Sequence, residues 1–467
     1  MKKHVVNEIV ANDICSGCGV CAGVCPSKIL DMNVQANGDL APDITAECPP
    51  RCVLCLDVCP FSSNSISITQ LTDEKFTDPE VKQHEAVGKY TDNIVGYSPT
   101  HRSTGASGGM LSWLLEAMLR ENLVDAVITV SSSSDNRPSD GLLFQMTEFT
   151  CAEQVRAASG SFYYPISAGA RLRSIQDLKE GKRYAVVGLP CTLKGIALAM
   201  RKLPVLRRSI AYTFGLVCGH LPNVFYTEYL SKVSGCEPDN IGSVSYRGEN
   251  PGRPANNYLF RAVDKSGKSG RPVPFYGAIS NAWVSRQFQL NACNFCDDLF
   301  AEVADASFMD AWLPEYMADH RGHSIVTVRN PEIMTVFERG RKGNSCSFEP
   351  IDIDKVADSQ ASQWEGKSSR LQVQMALAVK QGKKIPPLRQ VPKLGCNYIA
   401  VLKICLQNKL QHLSKNRWAM QRSEPLENYD AGTKRYVFSL KVISSIERMI
   451  RVVKNPSKVY KKIAGRF

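Results

Sequence analysis

Eight of the 17 cysteines in this chain fall within its first 59 residues, where an even spread over 467 positions would place about two. In a reducing compartment, cysteines this dense serve as metal ligands or catalytic groups more often than as disulfides. Their spacing points to metal. Cys15, Cys18, Cys21 and Cys25, closed by Pro26, give C-x2-C-x2-C-x3-C-P; Cys48, Cys52, Cys55 and Cys59, closed by Pro60, give C-x3-C-x2-C-x3-C-P. Three thiolates on one tight loop can cap three irons of a cubane, and Gly17, Gly19, Ala22 and Gly23 are small enough to let backbone amides approach the sulfides. The fourth cysteine of each such run ligates the cluster of the other run. One 4Fe-4S cluster is therefore expected on Cys15, Cys18, Cys21 and Cys59, and a second on Cys48, Cys52, Cys55 and Cys25. The second run is one residue longer in its first gap, Pro49-Pro50-Arg51. Structural zinc also uses C-x2-C pairs, but it accounts poorly for a duplicated eight-cysteine run with two Cys-Pro endings.

The elements that must carry this chemistry belong to a chain that is 43% hydrophobic and 22% charged, long enough for two or three domains and too apolar for wholesale disorder. Its longest uncharged stretch, Ser209 to Thr227, contains Gly215, Gly219, His220, Pro222 and Asn223, so no unbroken apolar run spans a bilayer. Glu8 interrupts the start before an apolar signal region can form, which predicts a cytoplasmic protein. After a polar connector, strand-like and helix-like segments alternate. Met110 to Arg120 reads as an amphipathic helix behind Ser107-Gly108-Gly109, Ala126 to Val130 as a buried strand, Tyr184 to Val187 as a strand, and Thr192 to Met200 as a helix after the turn Gly188-Leu189-Pro190-Cys191. This repetition predicts an α/β core. The glycine turns either close tightly or present bare amides to an anion at a helix start. Four further cysteines, Cys191, Cys218, Cys293 and Cys296, are open between inert packing and ligation.

Several stretches resemble the coenzyme F(420) hydrogenase/dehydrogenase beta-subunit family, flavoproteins that include 7-hydroxymethyl chlorophyll a reductase. They are Gly105 to Gly109 with its helix and Leu123 to Val127, Ala185 to Cys191, Gly215 to Cys218, Val244 to Arg247, Cys293 to Asp298 with Ala304-Asp305, and Gly322 to Ser324. With the N-terminal ferredoxin module, the resemblance covers about three quarters of the chain. It implies a bound FAD beside an iron-sulfur cluster. It makes Cys191, Cys218, Cys293 and Cys296 the ligands of a third 4Fe-4S cluster, and Ser107, Gly108, Gly109, Gly188 and Pro190 the flavin contacts. This chain departs from the family's pattern at Gly160-Ser161-Phe162-Tyr163, where an aromatic ring replaces a cation, and at Met309-Asp310-Ala311-Trp312.

The expected architecture is a ferredoxin-like α+β domain over residues 1–65, a connector over 66–87, an α/β (α+β) flavin domain over 88–365 and a basic helical extension over 366–467. The expected function is an iron-sulfur flavoprotein oxidoreductase passing electrons between 4Fe-4S clusters and FAD, to or from an organic substrate or deazaflavin, with reduced ferredoxin or another redox protein as partner. The rival is an electron-transfer adaptor subunit serving a partner enzyme. His220, Tyr163 and Asp310 are candidates for proton delivery. From Gly366 onward there are 22 Lys and Arg against 4 Asp and Glu, so the net charge of +12 belongs to the extension and the rest of the chain is acidic. Pro386, Pro387 and Pro392 mark a linker, followed by apolar residues at helical spacing (Ile399 to Leu413, Val442 to Val453) among Lys441, Arg448, Arg451 and Lys454. Such helices can lie on the anionic inner face of a membrane, bind an acidic partner, or pack on the core with a solvated side. Homo-oligomerisation is also open, and no fold for specific nucleic-acid recognition is visible.

Overall fold

The computed structural model describes residues 3–133, 141–178, 181–389 and 398–454. Its centre is an eight-stranded mixed sheet. In chain order the strands are β1 (Asp92–Tyr97), β2 (Ala126–Ser132), β3 (Phe144–Phe149), β4 (Tyr184–Gly188), β5 (Ile210–Leu216), β6 (Ala306–Asp310), β7 (Ser324–Val328) and β8 (Ser347–Pro350), and in space they run β8-β1-β7-β6-β5-β4-β2-β3. The pairs β2/β4, β4/β5 and β5/β6 are parallel, and antiparallel strands close both flanks. Helices cover the parallel strands on both faces, which is why these read as continuous apolar runs such as Ala126 to Ile128. Helix α1 (Met110–Arg120) has the expected bounds and buries Leu114, Leu115 and Met118; α2 is Gly169–Asp177 and α3 is Pro190–Lys202. The mixed α/β core is thus as expected.

The N-terminal cysteine-rich segment carries a hairpin, Leu30–Val34 with Leu40–Ile44, and packs against the sheet and its helices. Val20, Leu56 and Val58 belong to the same apolar cluster as Ile128, Tyr184 and Ile196. The Ala168 amide donates to Cys18 O at 2.9 Å, and a Cβ on Gly23 would stand 2.8 Å from Gly169 O. The stretch expected as a plain connector holds a helix, Ile68–Lys75, capped by Ser67, whose Lys75 pairs with the buried Asp305 at 2.9 Å. Its polar residues are charged anchors at their tips, so composition alone made the segment look like a linker.

The C-terminal extension differs more from expectation. The boundary placed at residues 365/366 on the change of charge falls inside α4 (Ala361–Lys380), which packs against the cysteine-bearing turn Asn291–Phe295. Helix α5 (Tyr398–Gln421) inserts the fully buried Trp418, whose indole N–H donates to Glu228 at 2.8 Å, and Lys415 reaches Asp39 of the N-terminal hairpin at 2.8 Å. Helix α6 (Leu426–Lys454) packs on α5 through Tyr436 and Leu440. These helices pack on the core and keep a charged side in solvent, as one of the three readings expected. Pro392 and the side chains of Arg451 and Lys454 lie outside the described residues. Among the described residues no helix is long and apolar enough to cross a membrane.

Candidate functional site

The two N-terminal runs fold back on each other. Gly17 and Gly19 adopt φ of 72° and 70°, left-handed backbone that favours glycine, and the turn they make brings the Gly17 amide to 3.4 Å from Cys15 Sγ. Burial raises the Cys15 thiol to about 12, with neighbouring Cys18 adding to the effect. Burial likewise raises Cys21, which stands beside Cys18, Cys15 and Cys59. Burial also raises Cys55, whose thiol neighbours are Cys48, Cys52 and Cys25. Cys55 is also a neighbour of Cys21, so the two runs lie side by side. Among the described residues no group of three or more His, Cys, Asp or Glu is arranged to hold a single metal ion. Crowded, dry thiols do not ionise unaided, and a bound metal supplies the charge that thiolates need.

The four cysteines of the body share one neighbourhood. Cys191 is the second residue of α3, immediately beyond β4, and Cys218 lies just past β5, so both stand at the carboxyl ends of parallel strands where α/β folds place their ligands. Cys293 sits in the short turn Asn291–Phe295, and the Leu221 amide donates to its Sγ at 3.3 Å. Burial holds the Cys191 thiol well above its ordinary range, and its thiol neighbours are Cys18, Cys296, Cys218 and Cys293. Cys18 thus links the third foursome to the first.

Three cations converge on this third group. Lys367, on α4, donates to Cys218 O at 3.1 Å and to Asp298 O at 2.7 Å. Arg370, one turn on, donates to Asn294 Oδ1 at 3.1 Å, to Asn408 Oδ1 at 3.2 Å and to Gln407. Arg286 donates to His220 Nδ1 at 2.8 Å and to Gln289 at 3.0 Å. Among the described residues none of the three forms an ion pair with a carboxylate. Burial works against the Lys367 ammonium, yet Cys296, Cys218 and Cys293 hold it above its ordinary range. Burial lowers Arg286 to about 10 against the opposing pull of Cys293 and Cys218. Sequence reasoning missed all three: Lys367 and Arg370 were hidden within a block of tail charge, and Arg286 carries no motif.

A cavity of about 1720 Å³ opens beside Cys191 and Cys218. Ser107, Gly109 and Gly188 line it, although Ser107 Oγ is engaged with His323 O at 2.8 Å. Gly108 packs so closely on Gly96 and Ser324 that a Cβ would meet Gly96 O at 2.5 Å, and Pro190 opens α3; neither forms the wall. Across the cavity, Arg247 pairs with Asp310 at 2.9 Å and lies over the rings of Tyr258 and Trp312 at 4.8 and 5.5 Å. The three proton-delivery candidates all line this space. Burial, with Arg286 beside it, holds His220 well below its ordinary range and therefore neutral, while burial raises the Tyr163 hydroxyl. Phe162, one of the departures, packs against Phe144 at 4.8 Å. Tyr398, Gln407 and Ile450 of the C-terminal helices complete the wall.

Two family descriptions match this sequence, both of the beta subunit of coenzyme F(420) hydrogenase/dehydrogenase: its N-terminal part over residues 94–173, and its C-terminal part over residues 181–354. The chain belongs to the coenzyme F(420) hydrogenase/dehydrogenase beta-subunit family. It is 25% identical over 346 residues to the coenzyme F420-dependent sulfite reductase of Methanocaldococcus jannaschii, covering 70% of this chain and 46% of that protein. It is 23% identical over 220 residues to a subunit of the F(420)H(2) dehydrogenase of Methanosarcina mazei, covering 46% of this chain and 55% of that protein. The chain thus spans about half the length of these curated relatives. A solved structure of the F(420)-reducing NiFe hydrogenase complex from Methanosarcina barkeri aligns with a TM-score of 0.49 and 15% identity, over 65% of this chain and 98% of that one. The family match takes in Cys191, Cys218, Arg286, Cys293 and Cys296, whereas Lys367 and Arg370 lie beyond its end at residue 354.

Proposed function

We propose that this chain is an iron-sulfur flavoprotein oxidoreductase that exchanges electrons between three 4Fe-4S clusters and a two-electron organic carrier. The observation that carries this reading is the third cysteine group, two of whose members, Cys191 and Cys218, line the cavity, beside the buried cations Lys367 and Arg370, which form no ion pair among the described residues. Cys15, Cys18, Cys21 and Cys59 would hold one cluster, Cys48, Cys52, Cys55 and Cys25 a second, and Cys191, Cys218, Cys293 and Cys296 the third. Bound clusters supply one-electron chemistry and a bound FAD supplies its coupling to two-electron or hydride chemistry. The protein contributes bare amides around Gly109 and Gly188 at two helix starts, suited to a pyrophosphate, and a lobe of Tyr163, Tyr258 and Trp312 suited to a planar ring.

The relatives named for F(420) chemistry make a reduced deazaflavin the first organic partner to test, and a ferredoxin or similar protein the partner at the N-terminal module. Anaerobic protein mixed with reduced deazaflavin is expected to lose its cluster absorbance in the visible. A deazaflavin that leaves the clusters oxidised, in protein that a redox protein partner readily reduces, would favour the adaptor reading instead. A second observation concerns α6, where Phe438 is 67% exposed and Met449 60% exposed, beside exposed Lys441 and Arg448. This face suits peripheral binding to an anionic bilayer. Full-length protein should float with anionic liposomes, and the Phe438→Ser/Met449→Ser variant should not; equal flotation would overturn that assignment.

A further inference from the structure

Burying a cation without a counter-anion is costly, and breaking such compensation destabilises a fold by several kcal/mol. Lys367 and Arg370 are 6% and 3% exposed, and Arg286 is half-buried with a left-handed φ of 66°. Their hydrogen bonds go only to carbonyls, amides and an imidazole. These charges face the foursome Cys191, Cys218, Cys293 and Cys296, and Lys367 also lies near the buried Asp298. The neighbouring foursome has the opposite setting. Beside it, the buried Lys415 is already paired with the Asp39 carboxylate at 2.8 Å. The two sites therefore differ in how the cations beside them are paired: Lys415 meets a carboxylate, whereas Lys367, Arg370 and Arg286 hydrogen-bond to neutral groups.

We propose that Arg286, Lys367 and Arg370 hold the reduction potential of the Cys191/Cys218/Cys293/Cys296 cluster above that of the cluster at Cys15, Cys18, Cys21 and Cys59. The inference rests on the proposed function and adds a direction to it. Reduction adds one negative charge to a cluster, and in a low-dielectric interior a fixed cation a few ångströms away favours the reduced form. An electron shared by the two sites then rests at the one that faces the cavity. The charge is rigidly placed, because Lys367 is held by two carbonyls from different segments, at Cys218 and Asp298.

The test is an anaerobic redox titration of the full-length protein followed by electron paramagnetic resonance, with iron measured on each sample. Lys367→Gln removes the charge and keeps donors for the two carbonyls; Lys367→Arg keeps the charge. In Lys367→Gln the reduced-to-oxidised ratio of the third cluster at fixed potential should fall about tenfold, about 59 mV for a one-electron couple, with the N-terminal signals unmoved. Lys367→Arg should stay near wild type. If Lys367→Gln loses iron, Arg370→Gln, whose partners are all neutral, decides by the same reading. An unmoved or raised potential in the iron-replete variant would overturn this inference alone, as would a wild-type third cluster lower in potential than its N-terminal neighbour. Wild-type protein with about eight irons and no third signal would overturn the functional reading beneath it.

Discussion

Cys191 stands at the start of α3 just beyond β4, at the wall of the cavity, so its removal separates ligation from packing. Cys191→Ser keeps the volume at the start of α3 and removes the soft ligand. It should lower bound iron by about a third while leaving the N-terminal resonances in place, a loss measurable by iron analysis on the purified protein. A second residue-scale expectation concerns Glu302. Burial pushes its carboxyl from 4.5 up to about 7, with Asp298 adding and Arg389, 2.8 Å away, opposing. A carboxyl raised on folding binds more protons in the native state, so its contribution is complete below about 4.5 and is lost as pH rises toward 7. Thermal stability should therefore decline across that window, and Glu302→Gln should flatten the decline; an unchanged profile in the variant would remove Glu302 as its source.

At the scale of elements, docking of the cysteine-rich module depends on close backbone approach. A methyl at Gly23 would stand 2.8 Å from Gly169 O and 2.9 Å from Leu172 Cβ. Gly23→Ala should cost about 1–3 kcal/mol by overpacking, read as a lower melting temperature of the anaerobic protein. A chain ending at Glu365, the boundary that charge alone suggests, should lose iron from the third site because Lys367 and Arg370 leave with it. This contrast shows what the sequence made legible. The two N-terminal runs were readable because ligand spacing in one short loop is local, and α1 because its apolar period is local too. The third foursome needed the resemblance, since Cys191 and Cys293 are brought together only by the sheet. The cations were not legible: Lys367 reaches Cys218 across 149 positions, and nothing in a run of basic residues marks which one turns inward. Gly108 illustrates the converse, a motif glycine whose place is fixed by packing on Gly96 rather than by the cavity.

Taken whole, the molecule is less divided than its charge suggests. The acidic body and basic extension share one interior: Lys415 pairs with Asp39 in the N-terminal hairpin, Trp418 is buried against Phe288 and Tyr229, and Tyr398 and Ile450 wall the cavity. The basic helices are thereby part of the same core and of the cavity wall. Cys191 and Cys218 of the third proposed foursome line that cavity, and the proposed function requires three iron sites. The most direct measurement is iron and acid-labile sulfide per chain in anaerobically purified full-length protein, compared with the Cys191→Ser/Cys218→Ser variant. About twelve irons per chain should fall to about eight in the variant. About eight in both proteins, or zinc in place of iron, would contradict it.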